Sequence, residues 1–193
     1  MGALPPPTSS HPYIVQPVQT EAPPADSLHR LITTFGGHPC GQTVADWYLY
    51  ELLLNERTDL CAVVEIGTWQ GGFSRYLFAQ CAVRNMDFVT YDAVMPDSEP
   101  PGFEQRDVFA DKDDVIERLG SYEAPVLLLC DGGNKPREAR LFAPHLPAGS
   151  VVVVHDWLTE FLPEDEPDYF VPVFEEVCEI LGSMSRVYEL KGD

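Results

Sequence analysis

Positive charge is scarce in this chain. Lys and Arg number 12 against 31 Asp and Glu, a formal net charge of -19 over 193 residues. Phosphate backbones and anionic bilayers are gripped by clustered Lys and Arg. Nucleic acid and membrane surfaces are therefore expected to be poor partners, and a small molecule is the expected substrate. Also missing is any apolar run of the roughly 18 residues that a membrane span requires. The opening residues, Met1-Gly2-Ala3-Leu4-Pro5-Pro6-Pro7, hold neither a basic n-region nor an apolar h-region. No secretory signal is expected, and a cytoplasmic location is. The five cysteines (Cys40, Cys61, Cys81, Cys130, Cys178) include no CxxC pair. An odd count without metal-type spacing argues against a disulfide framework or a zinc site. Cys61 and Cys130 lie at or inside apolar runs and read as small core residues.

What is present suits one globular domain with a single sizeable core, since 45% of the residues are hydrophobic. Residues 1–25 hold seven of the eighteen prolines and read as an extended, mobile tail. Ordered patterning is expected over 26–193. Thr43 can cap a helix whose apolar face would be Val44, Trp47, Tyr48, Leu52 and Leu53. Strands are expected at 61–66, 87–91, 103–105, 125–130, 151–154 and 186–190. Helices are expected at about 73–83, 113–119, 137–142 and 173–181.

Strands alternating with helices imply an α/β fold, a parallel sheet with helices on both faces and right-handed crossovers. Ligands then bind past the carboxyl ends of the strands. The residues there are Glu65 and Gly67, Asp92, Asp107, Asp131, and the pair His155-Asp156. In the first of these turns Gly67, Gly71 and Gly72 permit a sharp bend and a close ligand approach. Their spacing is neither G-x-G-x-x-G nor a P-loop, so a ligand without pyrophosphate fits better. A plain strand-to-helix turn remains the structural alternative.

The run Glu65-Ile66-Gly67-Thr68-Trp69-Gln70-Gly71-Gly72-Phe73-Ser74 resembles motif I of class I S-adenosylmethionine methyltransferases. The resemblance implies a doubly wound, mostly parallel Rossmann-like sheet. It also implies S-adenosylmethionine as cofactor, held by Glu65, Gly67, Thr68, Trp69, Gly71, Gly72 and Ser74, with Asp107 and Asp131 nearby. Asp92, separated from Glu65 by 26 residues, stands where that family places an acid for the ribose hydroxyls, and a carboxylate can accept both bonds. The similarity spans about residues 36 to 160. It extends to the catechol-type and sugar-tailoring O-methyltransferases and their cephalosporin-hydroxylase-like relatives, and Gly41-Gln42 is similar to a segment that precedes motif I in the catechol-type enzymes. There Asp131, His155 and Asp156 sit where a magnesium site is implied, so Mg²⁺ or another divalent metal is a candidate second cofactor.

The chain departs from that pattern in places. His155 stands where a carboxylate is implied, and imidazole suits Zn, Fe or Ni better than Mg. It can instead be a general base or a buried, backbone-satisfied histidine. Lys135 is similar to a lysine of catechol-type enzymes, displaced by one position, and is a candidate base or simply a solvated side chain. Asp131 and Asp156 can also be helix caps. Trp69 and Trp157 can stack on a ligand or merely pack. Only 37 residues follow Asp156, enough for the loop 159–172, one helix and one strand. The sheet is thus expected to be abbreviated at its C-terminal edge, with the loop as a lid or connector and a homodimer partner as one way to cover the edge. Three activities stay open: O-methyl transfer to a small molecule, oxidation on the same scaffold, and ligand binding without catalysis.

Overall fold

A computed structural model describes residues 33–191. The proline-rich stretch 1–25 and the expected domain start at residue 26 lie outside the described residues.

A hairpin opens the described chain, β1 (Thr33–Phe35) pairing antiparallel with β2 (His38–Cys40). Helix α1 (Val44–Glu56) starts at a reciprocal cap. The Asp46 amide donates to Thr43 Oγ1 at 3.2 Å, and the Thr43 amide donates to Asp46 Oδ2 at 2.9 Å. The face it buries is Asp46, Leu49, Tyr50, Leu53 and Leu54, whereas Val44 and Tyr48 are exposed. The expected face is thus rotated. Apolar residues surround this helix, so periodicity alone could not choose the inward side.

Then follow β3 (Ala62–Ile66), α2 (Gly72–Arg84), β4 (Asp87–Asp92), β5 (Phe103–Gln105), α3 (Lys112–Ser121), β6 (Val126–Cys130), α4 (Lys135–Phe142) and β7 (Val151–Val154). β8 (Phe170–Val173), α5 (Glu175–Leu181) and β9 (Arg186–Leu190) complete the chain. The seven-stranded sheet runs β5-β4-β3-β6-β7-β9-β8. Its first five strands are parallel, and β9 runs antiparallel between β7 and β8.

The C-terminal edge is therefore complete rather than abbreviated, which corrects the expectation. The missed strand is Phe170-Val171-Pro172-Val173. Its proline is tolerable only because β8 is the outermost strand, where one ladder donor can be spared. With β8 in place, the open edge no longer argues for a dimer partner.

Side-chain alternation divides the core into two layers. Val64, Ile66, Leu128, Cys130, Val152 and Val154 face α3 and α4, with Val115, Leu119, Ala139 and Phe142 packed on them. Val63, Leu127, Leu129, Val151 and Val153 face the other way, against Leu49, Leu53, Leu77 and Cys178 of α1, α2 and α5. The central strands are buried on both sides, which is why they read as unbroken apolar runs.

Register decides where the site falls. Ile66 is level with Tyr91 and with Cys130, and Cys130 is level with Val154. The next residues, Gly67, Asp92, Asp131 and His155, therefore leave the sheet side by side. Three are pinned by one more rung of the ladder: the amide of Gly67 donates to Tyr91 O (2.8 Å), that of Asp131 to Ile66 O (2.9 Å) and that of His155 to Cys130 O (3.2 Å). Gly67 has φ +102°, and a Cβ there would stand 2.2 Å from the carbonyl oxygen of Asp131. Glycine is required at 67 because two turns cross, quite apart from any ligand.

Candidate functional site

Two adjoining cavities open along this row of strand ends. The first, about 280 Å³, is lined among others by Gly67, Trp69, Asp92, Asp107, Val108 and Asp131. Asp92, at the end of β4, accepts the Trp69 amide on Oδ2 and the Val94 amide on Oδ1, both at 2.9 Å. These bonds tie the glycine turn to the acid and fix the carboxylate at the cavity wall. Asp107, past β5, accepts the amides of Phe109 (3.0 Å) and Ala110 (3.3 Å) on Oδ1, a local turn that aims it inward.

Beneath the glycine turn Glu65 is buried and accepts the Ser74 hydroxyl at 2.5 Å. Burial pushes its carboxyl up to about 8, against hydrogen bonds from Ser74 and Thr90 that work the other way. Thr68 shares a 2.6 Å hydroxyl bond with Thr90. Gly71, Gly72 and Ser74 line neither cavity. A Cβ on Gly72 would stand 2.2 Å from Pro39 O, so that residue lets the β1–β2 hairpin seat against α2. The hairpin in turn carries Cys40, Gly41 and Gln42 to the second cavity.

That second cavity, about 230 Å³, shares Gly67, Trp69 and Asp131 with the first and adds Gln42, Lys135, His155 and Asp156. His155 Nδ1 lies 3.1 Å from Asp131 Oδ1 and 3.4 Å from Asp156 Oδ1. The other oxygens of these carboxylates are taken by the protein. Gln42 Nε2 donates to Asp131 Oδ2 at 2.6 Å, and Lys135 Nζ stands 2.9 Å from Asp156 Oδ2. Asp156 has φ +57°, a backbone setting that Asp tolerates better than most residues.

Lys135 is not solvated. It is 3% exposed and also donates to Glu160 Oε2 (2.7 Å) and the Gly132 carbonyl (3.0 Å). Burial disfavours its charge, but the ion pairs with Glu160, Asp131 and Asp156 outweigh that and raise its pKa, so the ammonium stays protonated.

The remaining partner of His155 comes from α1. Asp46, fully buried, places Oδ2 at 3.8 Å from His155 Nε2, a buried nitrogen without a hydrogen-bond partner. Four donors hold the Asp46 carboxylate: Thr43 N and Oγ1 (2.9 and 2.6 Å) on Oδ2, and Ser183 Oγ and Ser185 Oγ (2.6 and 3.1 Å) on Oδ1. Burial alone would raise this acid, but the nearby His155 and the hydrogen bonds from Ser183 and Thr43 keep it well below the usual carboxylate range. Burial likewise opposes charge on His155, yet Asp131, Asp156 and Asp46 together push it up to about 12. Asp156 is held low, chiefly by His155.

Asp131, His155 and Asp156 each bring one donor atom within 4.8 Å of the other two. Donors bonded to one ion at about 2.1 Å stand at most about 4.2 Å apart, so a slight contraction would suit a divalent metal. The residues present fit such an ion.

Of the residues expected from the sequence, Gly67, Trp69, Asp92, Asp107, Asp131, Lys135, His155 and Asp156 gather along the two cavities, with Glu65 and Thr68 at the floor of the second. Trp157 does not join them; it packs on Phe161 beneath the Arg186 guanidinium. Asp46, Glu160, Ser183 and Ser185 were not foreseen. The only signal for Asp46 is its place in the capping pattern Thr43-x-x-Asp46, which by itself announces a cap.

No protein-family model and no curated protein matches the chain. Solved structures do. CmcI with S-adenosylhomocysteine (SAH) superposes with a TM-score of 0.62 at 14% identity, covering 90% of this chain and 96% of that one. The MycE methyltransferase of the mycinamycin biosynthetic pathway, in complex with Mg, SAH and mycinamycin VI, matches with a TM-score of 0.52 at 15% identity. That match covers 74% of this chain and 48% of MycE, so the chain spans about half of MycE's length. A putative O-methyltransferase from Klebsiella pneumoniae gives 0.50 at 12% identity, over 86% of this chain and 87% of that one. At such identities the likeness establishes a common fold, the Rossmann-like α/β sheet of these proteins.

Proposed function

We propose that the protein is an S-adenosylmethionine-dependent methyltransferase acting on a small-molecule hydroxyl, with a divalent ion assisting. The observation that carries this reading is the pair of cavities meeting at Gly67, Trp69 and Asp131. One is walled by the two acids suited to a nucleoside, the other by the metal-fitting trio. The adenosine part of the cofactor would lie along Asp92 and Asp107, with Asp92 accepting from the ribose hydroxyls. The sulfonium end would cross the glycine turn toward Asp131, bringing the methyl to the mouth of the second cavity. The shared fold with CmcI holding SAH and with MycE holding Mg, SAH and mycinamycin VI supports this placement.

Methyl transfer is an in-line displacement with little covalent work for a protein to do, so most of the rate gain comes from holding both reactants in register. A bound divalent ion would supply a Lewis acid for the acceptor oxygen and favour its deprotonated form. Asp131, His155 and Asp156 would hold it. Lys135 serves as a fixed positive charge among Asp131, Asp156 and Glu160 and is unsuited to be the base, because its pairs keep it protonated. Trp69, about half exposed at the junction, gives an acceptor ring a flat surface to lie on. The net charge of -19 disfavours nucleic acid and anionic membrane as acceptors. No helix among the described residues is long and apolar enough to cross a membrane.

The test is SAH release from S-adenosylmethionine over a panel of small hydroxylated compounds with added divalent ion. Asp131→Ala and Asp156→Ala should lower turnover by about 100-fold or more while the second still binds SAH. Turnover unchanged in both variants would remove the metal-assisted mechanism. Binding of SAH with no turnover on any acceptor would instead favour a ligand-binding protein that keeps the fold.

A further inference from the structure

We propose that the trio Asp131, His155 and Asp156 is built for a borderline transition-metal dication of the Co²⁺–Zn²⁺ kind rather than Mg²⁺, and that Asp46 positions His155 for it. This rests on the metal-assisted part of the reading above.

The inner donors converge. Asp131 Oδ1 and Asp156 Oδ1 both face His155 Nδ1, at 3.1 and 3.4 Å, while Gln42 and Lys135 hold the outer oxygens. Each carboxylate is thus fixed by one protein donor and left with one oxygen for an ion, the arrangement by which outer contacts orient metal ligands. One donor of three is an imidazole nitrogen. Mg²⁺ takes oxygen almost exclusively, whereas Co²⁺, Ni²⁺ and Zn²⁺ bind imidazole well.

The back of the ring carries the second observation. A ligating imidazole offers the lone pair of one nitrogen and keeps its proton on the other, and a carboxylate behind that second nitrogen selects the tautomer. His155 Nε2 is buried, has no hydrogen-bond partner, and looks toward Asp46 Oδ2 at 3.8 Å. An acid at the third position of a helix cap ordinarily sits at the surface. Asp46 is fully buried and receives Ser183 and Ser185 from the far end of the chain in addition to Thr43. Capping needs only the bonds to Thr43. The two serines hold an anion aimed at Nε2, and a ring movement of about 0.6–0.9 Å closes a hydrogen bond that leaves Nδ1 free for the ion.

Chelator-treated full-length protein is titrated with Co²⁺ and with Mg²⁺ by calorimetry, and the visible absorption of bound Co²⁺ is recorded. The expected result is Co²⁺ binding at least about 100-fold tighter than Mg²⁺. His155→Asp should shrink that ratio at least about tenfold and shift the Co²⁺ bands, because an oxygen replaces a nitrogen. Asp46→Asn should weaken Co²⁺ by about 10- to 100-fold with SAH affinity and bands retained. Should Asp46→Asn fail to fold, Ser185→Ala, which removes one donor to the carboxylate, should weaken Co²⁺ severalfold and spare SAH. Equal Co²⁺ and Mg²⁺ affinities, bands unmoved by His155→Asp, or Co²⁺ affinity unmoved by the Asp46 or Ser185 change would overturn the proposal. SAH titrations on the same samples keep the two readings apart. Failure of the wild type to bind SAH counts against the cofactor assignment, and loss of the metal preference with SAH binding intact counts against this one.

Discussion

Gly67 and Glu65 sit two residues apart, one just past β3 and one within it, and each answers to a different force. At Gly67 the constraint is space: φ is +102° and the backbone of Asp131 stands where a Cβ would go. Gly67→Ala is expected to cost about 2–5 kcal/mol from the strained backbone and the overlap, read as a lower urea midpoint. At Glu65 the constraint is solvation. Its carboxyl is raised from 4.5 to about 8 by burial. Between those values the folded protein keeps a proton that the unfolded chain has released, so stability falls as pH rises through the window and levels off above it. Glu65→Gln keeps an acceptor for Ser74 and removes the titration. The variant should be more stable than the wild type at pH 9 and nearly equal to it near pH 4.5. Equal urea midpoints for the two proteins at pH 9 would show that Glu65 does not titrate in this way. The strand-end positions of Asp92, Asp131, His155 and Asp156 were legible from sequence, because each stands at or within two residues of the end of an apolar run. Burial of Lys135 was not, because it depends on Glu160, 25 residues away, and on Asp156.

Elements were legible in proportion to how far their pattern was local. The central strands announced themselves as apolar runs, and β5, β7 and β9 fall on the expected residues. The β1–β2 hairpin and β8 did not: Pro39 interrupts β2 and Pro172 interrupts β8, and proline is a poor strand signal. Helix α1 was placed correctly, but its inward face was not, because apolar residues surround it and its buried Asp46 is met by Ser183 and Ser185 far down the chain. The same contact makes the Thr43 cap more than a local device. Thr43→Ala removes a bond to the Asp46 amide and another to the Asp46 carboxylate, and is expected to cost about 1–2 kcal/mol. A loss below about 0.3 kcal/mol by chemical denaturation would show that the serines suffice to hold Asp46.

For the whole molecule, the decisive fact is the level ending of β3, β4, β6 and β7, which sets a cavity of about 280 Å³ beside one of about 230 Å³ that carries Asp131, His155 and Asp156. Alternation of strands and helices sufficed to point to that edge, where the two cavities open, although nothing local could show that they share Gly67, Trp69 and Asp131. The central claim is that S-adenosylmethionine lies there with its ribose on Asp92. The most direct measurement is calorimetric titration of the wild type, Asp92→Ala and Asp156→Ala with SAH. The account predicts one site per chain, an affinity about 10- to 100-fold weaker in Asp92→Ala, and an unchanged affinity in Asp156→Ala. Absence of binding by the wild type, or weakening confined to Asp156→Ala, would contradict it.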